Sequence, residues 1–232
     1  MLIKVKMDYP SLRLSNRQYK QRYYVTNDRI GHLMHIDASN ESDLLAQFQS
    51  SDPNSAVAEL FETYADPIYR LAMQLLGDPT AAEDVVQETF LSAMTHRAGF
   101  QGRSKLSSWL YRIAYNAALN RLRRNREDPM PEEDPDEDTP APLPRSLIEW
   151  TMTPEDINAN KEAGDYLEKA IMALPMKYRV VFFLRDIEDQ STEQTAGVLG
   201  LTETAVKVRL HRARLALRES LSEYFTERNA KV

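Results

Sequence analysis

The segment from residue 127 to residue 153 constrains the fold more than any other part of the chain, because it cannot join a hydrophobic core. Six prolines lie within it, and residues 127 to 157 hold eleven acidic residues against a single Arg. Such a composition favours extended chain over packed structure. The sequence therefore predicts two small modules joined by an extended acidic linker.

The charge of the chain is distributed unevenly. Residues 127 to 157 carry a net charge of -10, so the rest of the chain, whose total is -6, carries +4. From Arg97 to Arg126 there are eight Lys or Arg residues and no Asp or Glu. The overall acidity therefore does not exclude a nucleic-acid partner, because a local basic surface is what such a partner requires.

The basic segment contains an amphipathic helix. Apolar residues recur at the three- and four-residue spacing of a helix face turned to a core, at Leu106, Trp109, Leu110, Ile113 and Ala117. Beside them run Arg112, Asn116, Asn120 and Arg123. Arg and Asn beside a large aromatic side chain suit phosphates, base edges and unstacked bases. The alternative interpretation is a solvated basic face without a partner.

Two helices are predicted before this segment. The first begins at Ser55, and Asp66-Pro67 resembles a capped helix start, so we expect a kink or two abutting helices there. Gly77 ends the run, and Asp78-Pro79 opens a second helix that extends to about residue 97.

The second helix is acidic, with no Lys or Arg from Pro79 to His96. Its polar side carries Glu83, Asp84, Gln87 and Glu88. These carboxylates either complement the helix dipole or form a docking surface for a basic partner. A carboxylate metal site in a helical bundle requires Glu-x-x-His pairs, which this chain lacks. We therefore expect no bound metal.

The second module begins with a predicted helix start at Thr153-Pro154, and a further helix opens after Pro175. Residues 191 to 194 then have capping-box spacing, Gly200 marks a tight turn, and Thr202 caps the next helix. That helix places Val206, Leu210, Ala213, Leu217 and Leu221 on one face. With Ala196 at the crossing point, the pattern predicts a helix-turn-helix unit whose exposed face is basic.

Composition excludes several classes of function. The chain has no cysteine, and hence no disulfide, thiolate metal site or thiol nucleophile. It has no Gly-rich phosphate loop and no evident catalytic constellation, so we expect a non-enzymatic protein without a cofactor. No apolar run is long enough to span a bilayer, and we expect a cytoplasmic location. Residues 1 to 50 show no clear periodicity, and a short hairpin or a disordered arm is expected there.

The two modules together resemble regions 2 and 4 of the extracytoplasmic-function sigma factors, a group of the sigma-70 family. The matching segments are AEDVVQETF at 82 to 90, WLYRIAYN at 109 to 116, ALP at 173 to 175 and VKVRLHRAR at 206 to 214. The resemblance implies an all-α protein that binds core RNA polymerase and directs it to promoters.

The resemblance also implies roles for named residues. The acidic side of the second helix (Glu83, Asp84, Gln87, Glu88) would dock on the coiled coil of the polymerase's largest subunit. A base flipped from the -10 element would be bound by the basic helix and the loop before it, at Phe100, Arg103, Lys105, Trp109, Arg112, Asn116, Asn120, Arg123 and Arg124. The -35 element would be read by Thr202, Thr204, Lys207, Val208, Arg209, His211, Arg212 and Arg214.

By the same resemblance, residues 51 to 126 form region 2, residues 154 to 226 form region 4, and residues 227 to 232 form a tail. The partners it implies are core polymerase, including its flap region, promoter DNA and an anti-sigma factor. Three positions depart from the family pattern: Leu106 stands where Phe is usual, Gln190 where Gly is usual and Thr195 where Ile is usual.

A second interpretation is a helix-turn-helix regulator that binds DNA on its own, with residues 1 to 126 as a sensor or dimerisation domain. It explains residues 191 to 218 but leaves the basic surface at 97 to 126 without a role. Such a regulator binds duplex DNA tightly by itself, whereas a sigma factor binds poorly until core polymerase is present.

Overall fold

The residues that the computed structural model describes, which are 38–50, 54–125 and 161–229, form helices and loops and contain no strand. In chain order the helices are α1 (Ala38–Gln49), α2 (Asn54–Leu76), α3 (Pro79–His96), α4 (Leu106–Asn125), α5 (Lys161–Ala173), α6 (Met176–Phe182), α7 (Thr192–Leu199) and α8 (Glu203–Asn229). A 3-10 turn at Arg97–Gly99 and a π-helical turn at Phe183–Ile187 complete the described structure. The prediction of an all-α fold is confirmed.

Helices α2, α3 and α4 pack on one another around a shared apolar core. Ile68 and Leu71 of α2, Val85 and Val86 of α3, and Leu110 of α4 are all fully buried. Burying a side chain of this size contributes about 1.5 to 3 kcal/mol to folding. This core fixes the face that each helix leaves to solvent.

Helix α2 runs through Pro67 as a single helix. Of the two alternatives expected there, two abutting helices with Asp66 as a cap is therefore wrong, and a kink at Pro67 stays a prediction. An internal proline costs roughly 3 kcal/mol through its missing N–H and its clash with the preceding turn. Leu60 before it and Ile68 after it are both buried on the same core. Burial on both sides of Pro67 keeps the helix continuous.

The boundary between α2 and α3 agrees with the predicted capping. Gly77 has a positive φ of 66°, a conformation that favours glycine. The Asp78 carboxylate accepts a hydrogen bond from the backbone N–H of Ala81 at 2.6 Å, and α3 begins at Pro79. These local signals turn the chain sharply between two packed helices.

Helix α1 is a feature that the sequence pattern did not indicate. Its Leu44 and Phe48 are almost fully buried, and the Phe48 ring meets Trp109 edge to face with centroids 6.3 Å apart. Residues 38–49 therefore form a helix of the first module and not part of a hairpin. The predictions for residues 1 to 37, like those for the linker at 127–153 and the helix start at Thr153, lie outside the described residues.

The helix-turn-helix prediction is confirmed. Ser191 and Gln194 form a reciprocal capping box at the start of α7, and Gly200 ends that helix with a φ of 69°. Ala196, Val206 and Leu210 share a buried cluster with Val181 of α6. The five predicted inward residues of α8, Val206, Leu210, Ala213, Leu217 and Leu221, are all buried.

One buried position in α7 is polar. Thr195 has no solvent exposure, and its hydroxyl finds no hydrogen-bond partner within the described part of the chain. A buried hydroxyl without a partner costs about 1 to 3 kcal/mol relative to its hydrated state. Thr195 therefore reduces the stability of the helix-turn-helix.

We predict that Thr195→Val raises the free energy of unfolding by about 1 kcal/mol, because Val keeps the shape and removes the unpaired hydroxyl. Thr195→Ser is the control, since it keeps the hydroxyl and loses a methyl group. Urea unfolding followed by circular dichroism measures both variants. A Val variant that is less stable than wild type would show that the hydroxyl has a partner.

Candidate functional site

The predicted polar edge of α4 is exposed along its whole length. Arg112, Asn116, Asn120, Arg123 and Arg124 all face solvent. The buried face differs slightly from the predicted stripe. Of the predicted residues, Leu106, Leu110 and Ala117 are buried, whereas Trp109 and Ile113 are half-buried. The rest of the buried face consists of Tyr111, Ala114 and Ala118. Helix α4 thus presents an uninterrupted Arg and Asn edge with Trp109 at its start.

The loop before α4 positions that tryptophan. Phe100 is 6% exposed, and its ring lies 4.8 Å from the Trp109 ring, centroid to centroid, at an interplanar angle of 37°. The Gln49 side-chain amide donates to the Phe100 carbonyl at 2.5 Å. Phe100 therefore supports Trp109 from within, whereas Arg103 and Lys105 of the same loop are exposed.

An open cleft of about 640 Å³ lies over this loop and the start of α4. Arg103, Lys105, Trp109 and Arg112 contribute to one wall. Three cations around a half-buried indole are chemically suited to an anionic, aromatic group. The opposite wall comes from α7.

The acidic side of α3 is partly neutralised by α4. Arg121 donates to Asp84 at 3.1 Å and to Glu88 at 3.3 Å, and about half of each carboxylate side chain remains exposed. Glu83 is half-buried and Gln87 is exposed. The basic segment at 97–126 contains no acid of its own, so its counter-charge comes from the neighbouring helix. Sequence spacing alone could not show this pairing.

The described residues contain no group of three or more His, Asp or Glu side chains arranged to hold a metal ion. Within the same ranges, no helix is both long enough and apolar enough to cross a membrane.

The exposed start of α8 carries part of the predicted -35 set. Thr202, Thr204 and Lys207 face solvent, and the Thr202 hydroxyl caps the helix by accepting from the backbone N–H of Ala205 at 3.1 Å. Val208 and His211 are half-buried. The first turn of α8 is therefore accessible to a large partner.

The three arginines of that set are either buried or bound within the chain. Arg209 is only 5% exposed. Arg212 donates to the Tyr178 hydroxyl at 3.1 Å. Arg214 forms a bidentate pair with Asp186 at 2.6 and 2.8 Å, and this hydrogen bonding raises the pKa of Arg214. To contact DNA, these side chains have to exchange their present surroundings for phosphates or bases.

A buried polar cluster joins the two modules, and sequence analysis did not find it. Glu188, whose side chain is 7% exposed, accepts from Arg70 of α2 at 2.7 Å and from the Tyr111 hydroxyl of α4 at 2.6 Å. Beside it, the Ser108 hydroxyl donates to the Gln190 side-chain oxygen at 3.1 Å. No periodicity could indicate these partners, because Arg70 and Glu188 are 118 residues apart.

Two family models match the chain. The model for Sigma-70 region 2 matches residues 60–127, and the model for Sigma-70, region 4 matches residues 164–217. A curated relative, the ECF RNA polymerase sigma factor SigW of Bacillus subtilis (strain 168), is 32% identical over 168 residues, which are 72% of this chain and 90% of the relative.

Two solved structures share the fold. One is CnrH in complex with the cytosolic domain of CnrY, with a TM-score of 0.55, 24% identity, and coverage of 79% of this chain and 97% of that chain. The other is the sigma factor RpoE in complex with the anti-sigma factor NepR from Bartonella quintana, with a TM-score of 0.51, 24% identity, and coverage of 71% and 96%. At this identity the two structures support a common fold alone.

The buried cluster makes the free energy of unfolding sensitive to pH in the alkaline range. Burial first, and then the Glu188 carboxylate, raise the pKa of the Tyr111 hydroxyl well above its ordinary value of 10.0. A raised pKa in the folded state stabilises the fold below the unfolded pKa, and this stabilisation disappears as pH rises through the folded pKa.

We therefore predict that the free energy of unfolding decreases above pH 10.0, and that Tyr111→Phe makes this decrease less steep, because the titrating hydroxyl is gone. Urea unfolding at a series of pH values measures both slopes. Tyr64→Phe, a half-buried tyrosine of α2, is the control. Equal slopes for wild type and Tyr111→Phe would contradict the prediction.

Proposed function

This chain belongs to the extracytoplasmic-function sigma factors of the sigma-70 family, and from that membership we propose which of its surfaces bind promoter DNA and polymerase. As a sigma factor it directs RNA polymerase to promoters. The observation that supports the assignment of surfaces is the cleft over α4, where Arg103, Lys105 and Arg112 surround Trp109.

In this proposal the α4 edge binds the melted -10 element. Extruding one base from a duplex costs a few kcal/mol. Stacking on Trp109 and hydrogen bonds from Asn116 and Asn120 return a similar amount, since base–aromatic stacking contributes about 1 to 3 kcal/mol. Five basic side chains contact the phosphates of the displaced strand: Arg103, Lys105, Arg112, Arg123 and Arg124. Phe100 acts indirectly, by supporting the Trp109 ring.

The helix-turn-helix reads the -35 element with α8 in the major groove. Thr202, Thr204 and Lys207 lie at the exposed helix start and contact DNA first. Val208, His211 and Arg212 follow along the helix. Arg209 contacts DNA once it leaves its buried position, and Arg214 contacts DNA once it exchanges Asp186 for a phosphate.

Core polymerase binds the acidic side of α3. Glu83, Asp84, Gln87 and Glu88 form the surface for the coiled coil of the largest subunit, and the helix-turn-helix module meets the flap region. Arg121 keeps Asp84 and Glu88 in position until basic residues of the partner arrive. The phosphodiester chemistry belongs to the polymerase, so this chain needs no catalytic residue of its own.

An anti-sigma factor is a further proposed partner. The solved neighbour RpoE is described in complex with the anti-sigma factor NepR, which supports this proposal for a chain of the same fold. Because core polymerase and promoter DNA are its other partners, we expect the protein to act in the cytoplasm.

Gel filtration with purified bacterial core polymerase, followed by run-off transcription from genomic fragments, tests the function. Co-elution and new promoter-specific transcripts are expected. Separate elution, together with tight binding of duplex DNA by the protein alone, would instead support an independent helix-turn-helix regulator.

We predict that Asp84→Arg weakens binding to core polymerase at least tenfold, because it places a positive charge on the acidic face, next to Arg121. Fluorescence anisotropy with labelled protein measures the affinity, and circular dichroism checks the fold. Glu62→Arg, an equivalent reversal at an exposed position of α2, is the control. Unchanged affinity of the Asp84 variant would remove this face from the polymerase interface.

We predict that Arg212→Ala weakens promoter binding by the holoenzyme. If Arg212 reads a base, the loss is about 1 to 3 kcal/mol. If it contacts a phosphate, the slope of log affinity against log salt concentration decreases by about one. Titrating a promoter fragment at several salt concentrations separates these outcomes. Arg218→Ala, further along the same helix, is the control. An Arg212 variant with unchanged affinity and slope would place this side chain outside the DNA interface.

A further inference from the structure

Arg121 connects the helix proposed for the -10 element to the helix proposed for core polymerase. It belongs to α4, and its guanidinium donates to Asp84 of α3 at 3.1 Å and to Glu88 of α3 at 3.3 Å. Both acids belong to the surface proposed for polymerase. A partner that binds these two carboxylates therefore also changes the surroundings of Arg121.

Arg121 also lies next to the proposed phosphate-binding edge of α4. Four polar residues of that edge are spaced by four: Arg112, Asn116, Asn120 and Arg124. Because an α-helix has 3.6 residues per turn, a row with this spacing shifts around the helix by about 40° at each step. At the end of α4 the row has shifted toward Arg121, and Arg124, three residues further on, is its neighbour on the helix surface. The Arg121 side chain can therefore reach the phosphates that Arg124 contacts.

The present ion pairs of Arg121 are weak enough to be exchanged. The side chains of Asp84 and Glu88 are 48% and 46% exposed, and that of Arg121 is 29% exposed. Ion pairs that water reaches contribute little to stability, because solvent and salt screen them. The Arg121 Nε is buried and finds no hydrogen-bond partner within the described ranges, so the present geometry uses only some of its donors.

Charge determines where Arg121 binds after it loses these acids. Basic residues of core polymerase that bind Asp84 and Glu88 replace Arg121 there and repel it. Residues 97–126 contain no acid of their own, and Arg124 adds a like charge three residues away. In the proposed complex, the strand bound along α4 supplies phosphates as new anions, and a guanidinium can bind a phosphate through two parallel hydrogen bonds.

We propose that Arg121 exchanges its partners when the holoenzyme binds a promoter: it leaves Asp84 and Glu88 to core polymerase and binds a phosphate of the -10 strand beside Arg124. The free protein therefore has one fewer available cation on this edge than the holoenzyme has. Through this exchange, binding of polymerase and binding of DNA strengthen each other, because coupling between two sites is reciprocal. This inference rests on the proposed function of both surfaces.

Arg121→Met tests the exchange, because Met keeps an unbranched side chain and removes the charge. Core polymerase is expected to bind this variant about two- to threefold more tightly, since Asp84 and Glu88 lose their internal counter-charge. The variant holoenzyme is expected to bind a promoter fragment about fivefold more weakly. Its slope of log affinity against log salt concentration is expected to decrease in magnitude by about 0.7 to 0.9. Fluorescence anisotropy measures both affinities.

The opposite direction of the two changes separates the exchange from a structural role, because a damaged fold would weaken both interactions. Arg218→Met is the control and is expected to change neither affinity. Arg218 is likewise half-buried, its Nε also finds no partner among the described residues, and it lies on α8 outside both surfaces. Arg121→Lys keeps the charge and is expected to restore most of the salt slope.

Circular dichroism confirms that each variant is folded, and Arg121→Gln provides the same test if Arg121→Met does not fold. Weaker binding of both partners, or an unchanged affinity for either one, would overturn the proposal. Failure of the proposed function gives a different result. In that case promoter-specific transcription by wild-type holoenzyme would be absent, or Asp84→Arg would leave the affinity for core polymerase unchanged.

Discussion

The structure depends on the packing of helix α4, which has to bury one face while it keeps the other available. Its buried face is in contact with α2 and α3, and its start is in contact with α7. The interior face contains Leu106, Leu110 and Ala114. In a close-packed core, adding or removing even one methylene group changes the stability. That packing fixes the position of the Arg and Asn edge, as the proposed recognition of nucleic acid requires.

Ion pairs within the chain occupy parts of the surfaces that we propose for its partners. Arg121 pairs with Asp84 and Glu88, and Arg214 pairs with Asp186. These pairs are partly exposed, so each contributes little to stability and can be exchanged for a phosphate or a partner's charge at small cost. The Glu188 pair is different, because it is buried and its separation leaves an unpaired charge. The partly exposed pairs can therefore be replaced by contacts with a partner, whereas the buried pair stabilises one arrangement of the modules.

Most of the helices could be predicted from the sequence because their signals are local. Asp78-Pro79, the Ser191 capping box and Gly200 act within a few residues, and each is found in the structure as expected. Of the two alternatives for Pro67, two abutting helices was wrong for the opposite reason, since distant packing partners keep α2 continuous through an unfavourable residue. Helix α1 was missed because its apolar pattern is too short to indicate a helix. Its stability depends on a distant contact, that of Phe48 with Trp109.

The sequence by itself determined the helical class, the helix-turn-helix and the exposed Arg and Asn edge of α4, because periodicity and capping are encoded between near neighbours. Only the tertiary structure decided that Phe100 supports Trp109, that Arg121 bridges two acids of α3, and that α7 lines the cleft. Glu188 meets Tyr111 across 77 residues of sequence. Such contacts follow from how whole helices pack, and no local spacing records them.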